Sequence, residues 1–138
     1  MYPNVLVIPM REDLTKLGIN ELKTAEEVDE IFSNQQGTAL LVINSVCGCA
    51  AGNARPAVKI ALDNQKLPDK LTTVFAGQDQ EATAQARSYI EEYPPSSPSM
   101  ALFKDGQVVE MIQRHQIEGR TPEQIAEDLT QAFDKHCN

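Results

Sequence analysis

The sequence predicts an α/β fold in which a mixed β-sheet is flanked by helices on both faces. Two short apolar runs, residues 38–43 (TALLVI) and 71–76 (LTTVFA), are typical of strands that are buried on both faces of a sheet. A segment with helical spacing separates them, which favours a strand–helix–strand unit. Two later apolar runs are divided by Asp105-Gly106, a strong signal for an antiparallel hairpin.

The N-terminal region is predicted to contain two helices. Residues 11–17 form the shorter segment, and residues 24–33 form a helix that opens with a capping box between Thr24 and Glu27. The apolar stretch at residues 5–8 is compatible with a further strand before these helices.

The middle of the chain alternates helices with the two apolar strands. Residues 50–62 have helical spacing, and Pro56 is expected to interrupt and bend this helix because it removes one hydrogen bond. Asp79 is placed to cap a helix that runs to about residue 92. Residues 93–99 (YPPSSPS) contain three prolines, so they form a loop of a length that is normal inside one domain.

The C-terminal region is predicted to be a hairpin followed by a helix. Its two strands are residues 100–104 and 107–112. Thr121, Pro122 and Gln124 then supply a helix cap, a proline in the first turn and a capping-box partner.

Composition indicates one globular domain over residues 1–138, with 41% hydrophobic and 23% charged residues. The formal net charge of −8 argues against nucleic acid and against anionic membranes as partners. No run approaches the roughly 20 apolar residues of a membrane span, and no basic residue precedes the apolar start, as it would in a secretory signal. The sequence therefore predicts a cytoplasmic protein.

The feature that points to chemistry is Cys47-Gly48-Cys49, between the first buried strand and the helix that follows it. Unpaired N–H groups and the helix dipole favour a negative charge at such a turn. They can lower the pKa of a cysteine from ~8.5 to ~3.5–7.5, and the thiolate is the attacking species in thiol–disulfide exchange. Gly48 is expected to give backbone freedom and leave the sulfurs uncovered. Arg55 is expected to add a weaker positive field.

The two sulfurs are close enough in sequence for an internal disulfide. Closing a ring across one residue should be strained, and strain makes a disulfide easier to reduce. An oxidised Cys47–Cys49 pair is therefore expected to be a transient intermediate. The chain has three cysteines, an odd number and too few for a disulfide scaffold.

Three interpretations of this pair remain open on the residues alone: redox chemistry, inert packing in the core and metal binding. Metal binding needs more ligands than two. The further candidates, Cys137, His115 and His136, are far away in sequence and lack ligand spacing. We therefore expect no metal.

Longer segments resemble known redox proteins. Residues 97–108 (SPSMALFKDGQV) resemble the thioredoxin segment in which a cis-proline precedes a strand and a hairpin. The cysteine motif departs from thioredoxin, because it is Cys-Gly-Cys rather than Cys-x-x-Cys and no Trp precedes it. Three segments together resemble the bacilliredoxins: residues 44–57 (NSVCGCAAGNARPA), 94–106 (PPSSPSMALFKDG) and 114–120 (RHQIEGR).

This resemblance implies a thioredoxin-like fold and the removal of bacillithiol from mixed disulfides on cytosolic proteins, with weak disulfide isomerase activity. Bacillithiolated proteins would be the partners, bacillithiol the thiol cosubstrate, and no cofactor would be tightly bound. Cys47 would be the nucleophile that takes up bacillithiol, and Cys49 or a second thiol would resolve the adduct. Pro98, in the cis form and across from Cys47, would bind substrate together with Gly48.

Alternatives to this function stay open. One is a general disulfide isomerase or reductase without a preference for bacillithiol, and others are a metal-binding protein and a noncatalytic interaction domain. Cys137 is expected to be an exposed terminal thiol, or else a third redox cysteine that contacts the cysteine turn or another subunit. His115 is expected to be a surface or hydrogen-bonded polar residue. The functional alternative is that Arg114, His115 or Arg120 meets the carboxylates of bacillithiol.

Overall fold

The computed structural model describes residues 2–138 and contains one five-stranded sheet. Its strands are β1 (Asn20–Glu21), β2 (Thr38–Asn44), β3 (Lys70–Phe75), β4 (Ser99–Lys104) and β5 (Gln107–Ile112). Their order across the sheet is β1-β3-β2-β4-β5. The strands β1, β3 and β2 are parallel, whereas β4 is antiparallel to both of its neighbours. The predicted mixed sheet is therefore confirmed.

Helices cover both faces of this sheet. They are α1 (Asn4–Thr15), α2 (Ala25–Phe32), α3 (Arg55–Ala61), α4 (Gln80–Arg87) and α5 (Pro122–His136). Alternate side chains of β2 enter two core clusters, one shared with α1, α3 and α5 and the other with α2 and α4. All seven residues of β2 are buried, as its apolar run predicted. No helix within residues 2–138 has both the length and the apolar character needed to span a membrane.

The predicted capping boxes at Thr24 and Thr121 are confirmed. Asp79 is the N-cap residue of α4, as predicted, but its side chain does not cap the helix, because this carboxylate accepts two hydrogen bonds from the Arg11 guanidinium and none from the helix. α4 also ends earlier than residue 92, and a 3₁₀ turn (Ser88–Ile90) follows it.

The strand expected at residues 5–8 is wrong, because these residues lie in α1. The backbone groups of this segment pair within the helix, and the edge strand beside β3 is β1. Val5 is 80% exposed and Val7 is fully buried, which fits one helix that rests on the core along a narrow stripe. The helix expected at residues 11–17 is thus the second half of a longer one.

The helix after the cysteine turn changes its type along its length. Helical conformation begins at residue 48, widens into a π turn (Ala50–Ala54) and continues as α3. Pro56 follows this π turn inside a continuous helix, so its missing N–H removes one hydrogen bond to the preceding turn. The irregularity that we expected at Pro56 therefore lies in the turn before it.

Candidate active site

Cys47 lies at the start of the helix that leaves the carboxyl end of β2. Its carbonyl accepts hydrogen bonds from the N–H groups of Ala50 (2.9 Å) and Ala51 (3.2 Å), so it begins the helical hydrogen bonding. Its own N–H donates to Ser45 Oγ at 3.1 Å. These bonds fix the backbone on both sides of the sulfur.

The two cysteines of the turn are joined by hydrogen bonds. The N–H of Cys49 donates to Cys47 Sγ at 3.3 Å, and this bond is the main reason why the pKa of Cys47 falls below its ordinary value. The Cys49 thiol donates as well, and this donation raises the pKa of Cys49, as do burial and the charge on Cys47. The pair therefore holds its negative charge on Cys47 and its proton on Cys49.

The two sulfurs also differ in their surroundings. Cys47 lines an open cavity of about 440 Å³, whereas Cys49 is half-buried against the core cluster beneath α3. Further residues around the cavity are Tyr2, Ser45, Arg87, Ser97 and Arg114. A substrate that enters the cavity therefore reaches Cys47 directly.

A buried arginine supports the turn from below. Arg55 Nη1 donates to Asn44 Oδ1 and to the carbonyl of Ser45, both at 3.1 Å. Its Nε lies 3.2 Å from Asp13 Oδ2, an ion pair without hydrogen-bond geometry. The Asn44 side chain also bridges the Ser45 N–H and the Met10 carbonyl. Arg55 thus holds the end of β2 in place.

The positive charge that acts on Cys47 comes from Arg114 rather than from Arg55, which corrects the prediction. Arg114 opens the 3₁₀ turn after β5, and its Nη1 donates to the Ser97 carbonyl at 3.4 Å while its Nε pairs with Glu118. Of the three residues suggested for carboxylate binding, Arg114 lines the cavity with Cys47. His115 and Arg120 do not line it.

The two remaining substrate-binding candidates have different positions. The Ser97–Pro98 peptide bond is cis, as the resemblance implied. Ser97 lines the cavity, whereas Pro98 is buried and does not line it. Gly48 is exposed and has no left-handed backbone conformation, and an added Cβ would meet nothing within 4 Å. The expected need for glycine flexibility at Gly48 is therefore wrong.

Cys137 does not belong to this site, and the expectation of an exposed terminal thiol is wrong. Its residue is 5% exposed and packs in the core cluster formed with α3 and α5. It lies beside Thr38, at the opposite end of β2 from Cys47, so a contact with the cysteine turn of the same chain is wrong too. Burial raises the pKa of the Cys137 thiol.

The metal interpretation gains no support from the described part of the chain. Residues 2–138 contain no group of three or more His, Cys, Asp or Glu side chains that could hold a metal ion.

Known sequences resemble this chain over nearly its whole length. A family model described as disulphide isomerase matches residues 2–137. A bacilliredoxin of Koribacter versatilis is 53% identical over 137 residues, covering 99% of this chain and 94% of that protein. A bacilliredoxin of Bacillus licheniformis is 55% identical over 99% of this chain and 95% of its own length. The chain belongs to the bacilliredoxin family.

Solved structures show the fold of this bacilliredoxin-family chain. Thioredoxin of Fasciola hepatica superposes with a TM-score of 0.57 at 18% identity, over 86% of this chain and 99% of that one. A variant of Halobacterium salinarum thioredoxin has the same TM-score and identity, over 86% and 90% of the two chains. The predicted thioredoxin-like fold is confirmed. Family and fold together support thiol–disulfide oxidoreductase activity.

Sequence reasoning missed two features of the site. Asn44 directly follows the predicted strand at residues 38–43 and enters only as the first residue of a segment that resembles the bacilliredoxins. Arg87 enters only as part of the helix predicted from Asp79 to about residue 92. Their roles arise from contacts with residues far away in the chain, such as Met10 and the loop before Pro98. No local pattern in this bacilliredoxin-family sequence signals these contacts.

The pH dependence of alkylation tests the charge distribution in the pair. We expect Cys47 to react with iodoacetamide with a midpoint below the ~8.5 of an ordinary thiol, because hydrogen bonds favour its thiolate. Cys49→Ala should move the midpoint upward only in part, since the backbone donor remains. Arg114→Gln should also raise it. Peptide mass spectrometry measures the rates, and a wild-type midpoint at or above about 8.5 would contradict the assignment.

Proposed function

We propose that this chain removes bacillithiol from mixed disulfides on cytosolic proteins, with Cys47 as the nucleophile and Cys49 as the resolving thiol. The observation that carries the proposal is the hydrogen-bonded pair, in which Cys49 donates to the sulfur of Cys47 beside an open cavity. In such a pair, Cys47 is a thiolate at the cavity that substrate enters, and Cys49 is a protonated thiol that is available for the second step.

In the first step, the Cys47 thiolate attacks the bacillithiol sulfur of the mixed disulfide. A bond forms between Cys47 and bacillithiol while the old disulfide breaks, and the client protein leaves as a thiolate. The total number of disulfide bonds is unchanged, so no electrons are gained or lost overall. The reaction needs no tightly bound cofactor, because the exchange involves sulfur atoms alone.

In the second step, Cys49 loses its proton and attacks Cys47, which releases bacillithiol as a thiolate. The product is the Cys47–Cys49 disulfide, and a second thiol could resolve the same adduct instead. The raised pKa of Cys49 keeps it protonated until Cys47 has given up its negative charge to the new disulfide. Two electrons from an external thiol or reductase then restore the pair.

A second candidate is a general protein disulfide isomerase or reductase. The description of the matching family model as disulphide isomerase favours it. Rates measured on one model protein, carrying either bacillithiol or glutathione as the mixed disulfide, separate the two functions. A clear preference for bacillithiol supports the proposal. Equal rates, together with repair of scrambled disulfides, support the general enzyme.

Intact-mass spectrometry of Cys49→Ala tests the function directly. Mixed with a bacillithiolated model protein, this variant should gain the mass of one bacillithiol on Cys47 while the model protein gains a free thiol. Adding Cys137→Ala to this variant should leave the adduct unchanged, because Cys137 lies at the other end of β2. A folded variant with titratable thiols but no adduct would rule out the proposed function.

A further inference from the structure

A second cation, Arg87, lines the cavity in front of Cys47. It is the last residue of α4, and its Nη2 donates to the Ser96 carbonyl at a long 3.4 Å. Its Nε is buried and has no hydrogen-bond partner within residues 2–138. The fold therefore fixes the position of the Arg87 guanidinium but leaves its Nε without a hydrogen-bond partner.

The charge of Arg87 is also left without an acidic partner. None of the ion pairs formed among residues 2–138 includes it. Burial lowers the pKa of Arg87, which is the direction expected for a cation that loses water and gains no carboxylate. An arginine nevertheless stays protonated in proteins, so the cavity holds a fixed positive charge.

The other cation of the cavity differs in this respect. Arg114 is paired with Glu118, which satisfies part of its guanidinium. Among the described residues, no Asp or Glu lines the cavity, although the chain as a whole carries a net charge of −8. The cavity in front of Cys47 is therefore lined by two arginines and by no carboxylate, and Arg87 is the one of the two that forms no ion pair among residues 2–138.

We propose that Arg87, with Arg114 beside it, binds a carboxylate of the small-thiol half of the mixed disulfide. This inference rests on the function proposed above and adds the residue that selects the thiol. A guanidinium matches a carboxylate geometrically, because its planar N–H donors can bind both oxygens. Carboxylate binding at Arg87 places the sulfur of the small thiol, rather than that of the client protein, next to Cys47. The client protein is then the leaving group.

Three mixed disulfides of one model protein test this inference. The small thiols are mercaptosuccinate, which carries two carboxylates, neutral 2-mercaptoethanol and cationic cysteamine. Arg87→Gln should slow the removal of mercaptosuccinate about tenfold, the scale of one lost charge-assisted hydrogen bond. It should change the rate for 2-mercaptoethanol by less than about twofold. Arg87→Lys should restore part of the mercaptosuccinate rate, because it keeps the charge without the planar fork.

The controls separate this inference from the function on which it rests. Lys70→Gln removes one exposed charge at the far end of β3 and should change none of the three rates. Equal slowing of all three substrates by Arg87→Gln, no slowing at all, or a shifted pH profile for Cys47 alkylation would overturn the role of Arg87. Removal of bacillithiol from the same model protein is measured in parallel. If the wild type does not remove bacillithiol, the proposed function fails, and the inference fails with it. If it removes bacillithiol but not mercaptosuccinate, the inference alone fails.

Discussion

Cys47→Ala is expected to reduce thiol transfer to the background rate, a loss on the order of 10³-fold or more. The reason is that the substitution removes the one sulfur of the turn that both lines the cavity and has a lowered pKa. Cys49 remains in this variant, but its residue packs against the core and does not line the cavity that admits substrate. It therefore cannot replace the missing nucleophile efficiently.

The measurement for this prediction is the release of client thiol from a bacillithiolated model protein, followed over time for each variant. Cys137→Ala is the matched control, because it also removes one thiol but lies at the opposite end of β2. It should keep nearly the wild-type rate. Residual activity of Cys47→Ala within about tenfold of wild type would assign the attack to another thiol.

The cysteine turn could be predicted from the sequence because its signal is local. An apolar run, two cysteines around Gly48 and a helical pattern follow one another without interruption, so the helix start at Cys47 follows from neighbouring residues. The same holds for the hairpin at Asp105-Gly106 and for the capping box at Thr121, which the structure reproduces.

The features that could not be predicted depend on contacts between distant segments. Cys137 stands one residue from the end, where mobility is the usual expectation, yet α5 carries it into the core. Residues 5–8 have strand-like composition but lie in α1, where Val7 is buried against the core while Val5 is exposed. The charge on Cys47 similarly depends in part on Arg114, which is distant in the chain and reaches the turn only after folding.

The second large effect concerns the helix that supports the turn. α5 packs against α3, and Phe133 of α5 is fully buried in the core cluster beneath the cysteine helix. Replacing a buried phenylalanine by alanine removes apolar contact and leaves a cavity that the surroundings fill only in part. Phe133→Ala is therefore expected to lower the free energy of unfolding by about 3–5 kcal/mol, a large share of the ~5–15 kcal/mol typical of a small protein.

Urea denaturation measures this loss as a lower midpoint with an unchanged slope. Ile60→Ala is a useful control, because Ile60 is 41% exposed on α3 and should change the stability by no more than about 0.5 kcal/mol. In folded Phe133→Ala, iodoacetamide should still alkylate Cys47 with a pH midpoint below that of an ordinary thiol. The reason is that the Cys49 N–H donor belongs to the turn itself. A loss below about 1 kcal/mol would mean that α5 is not the support that its packing against α3 indicates.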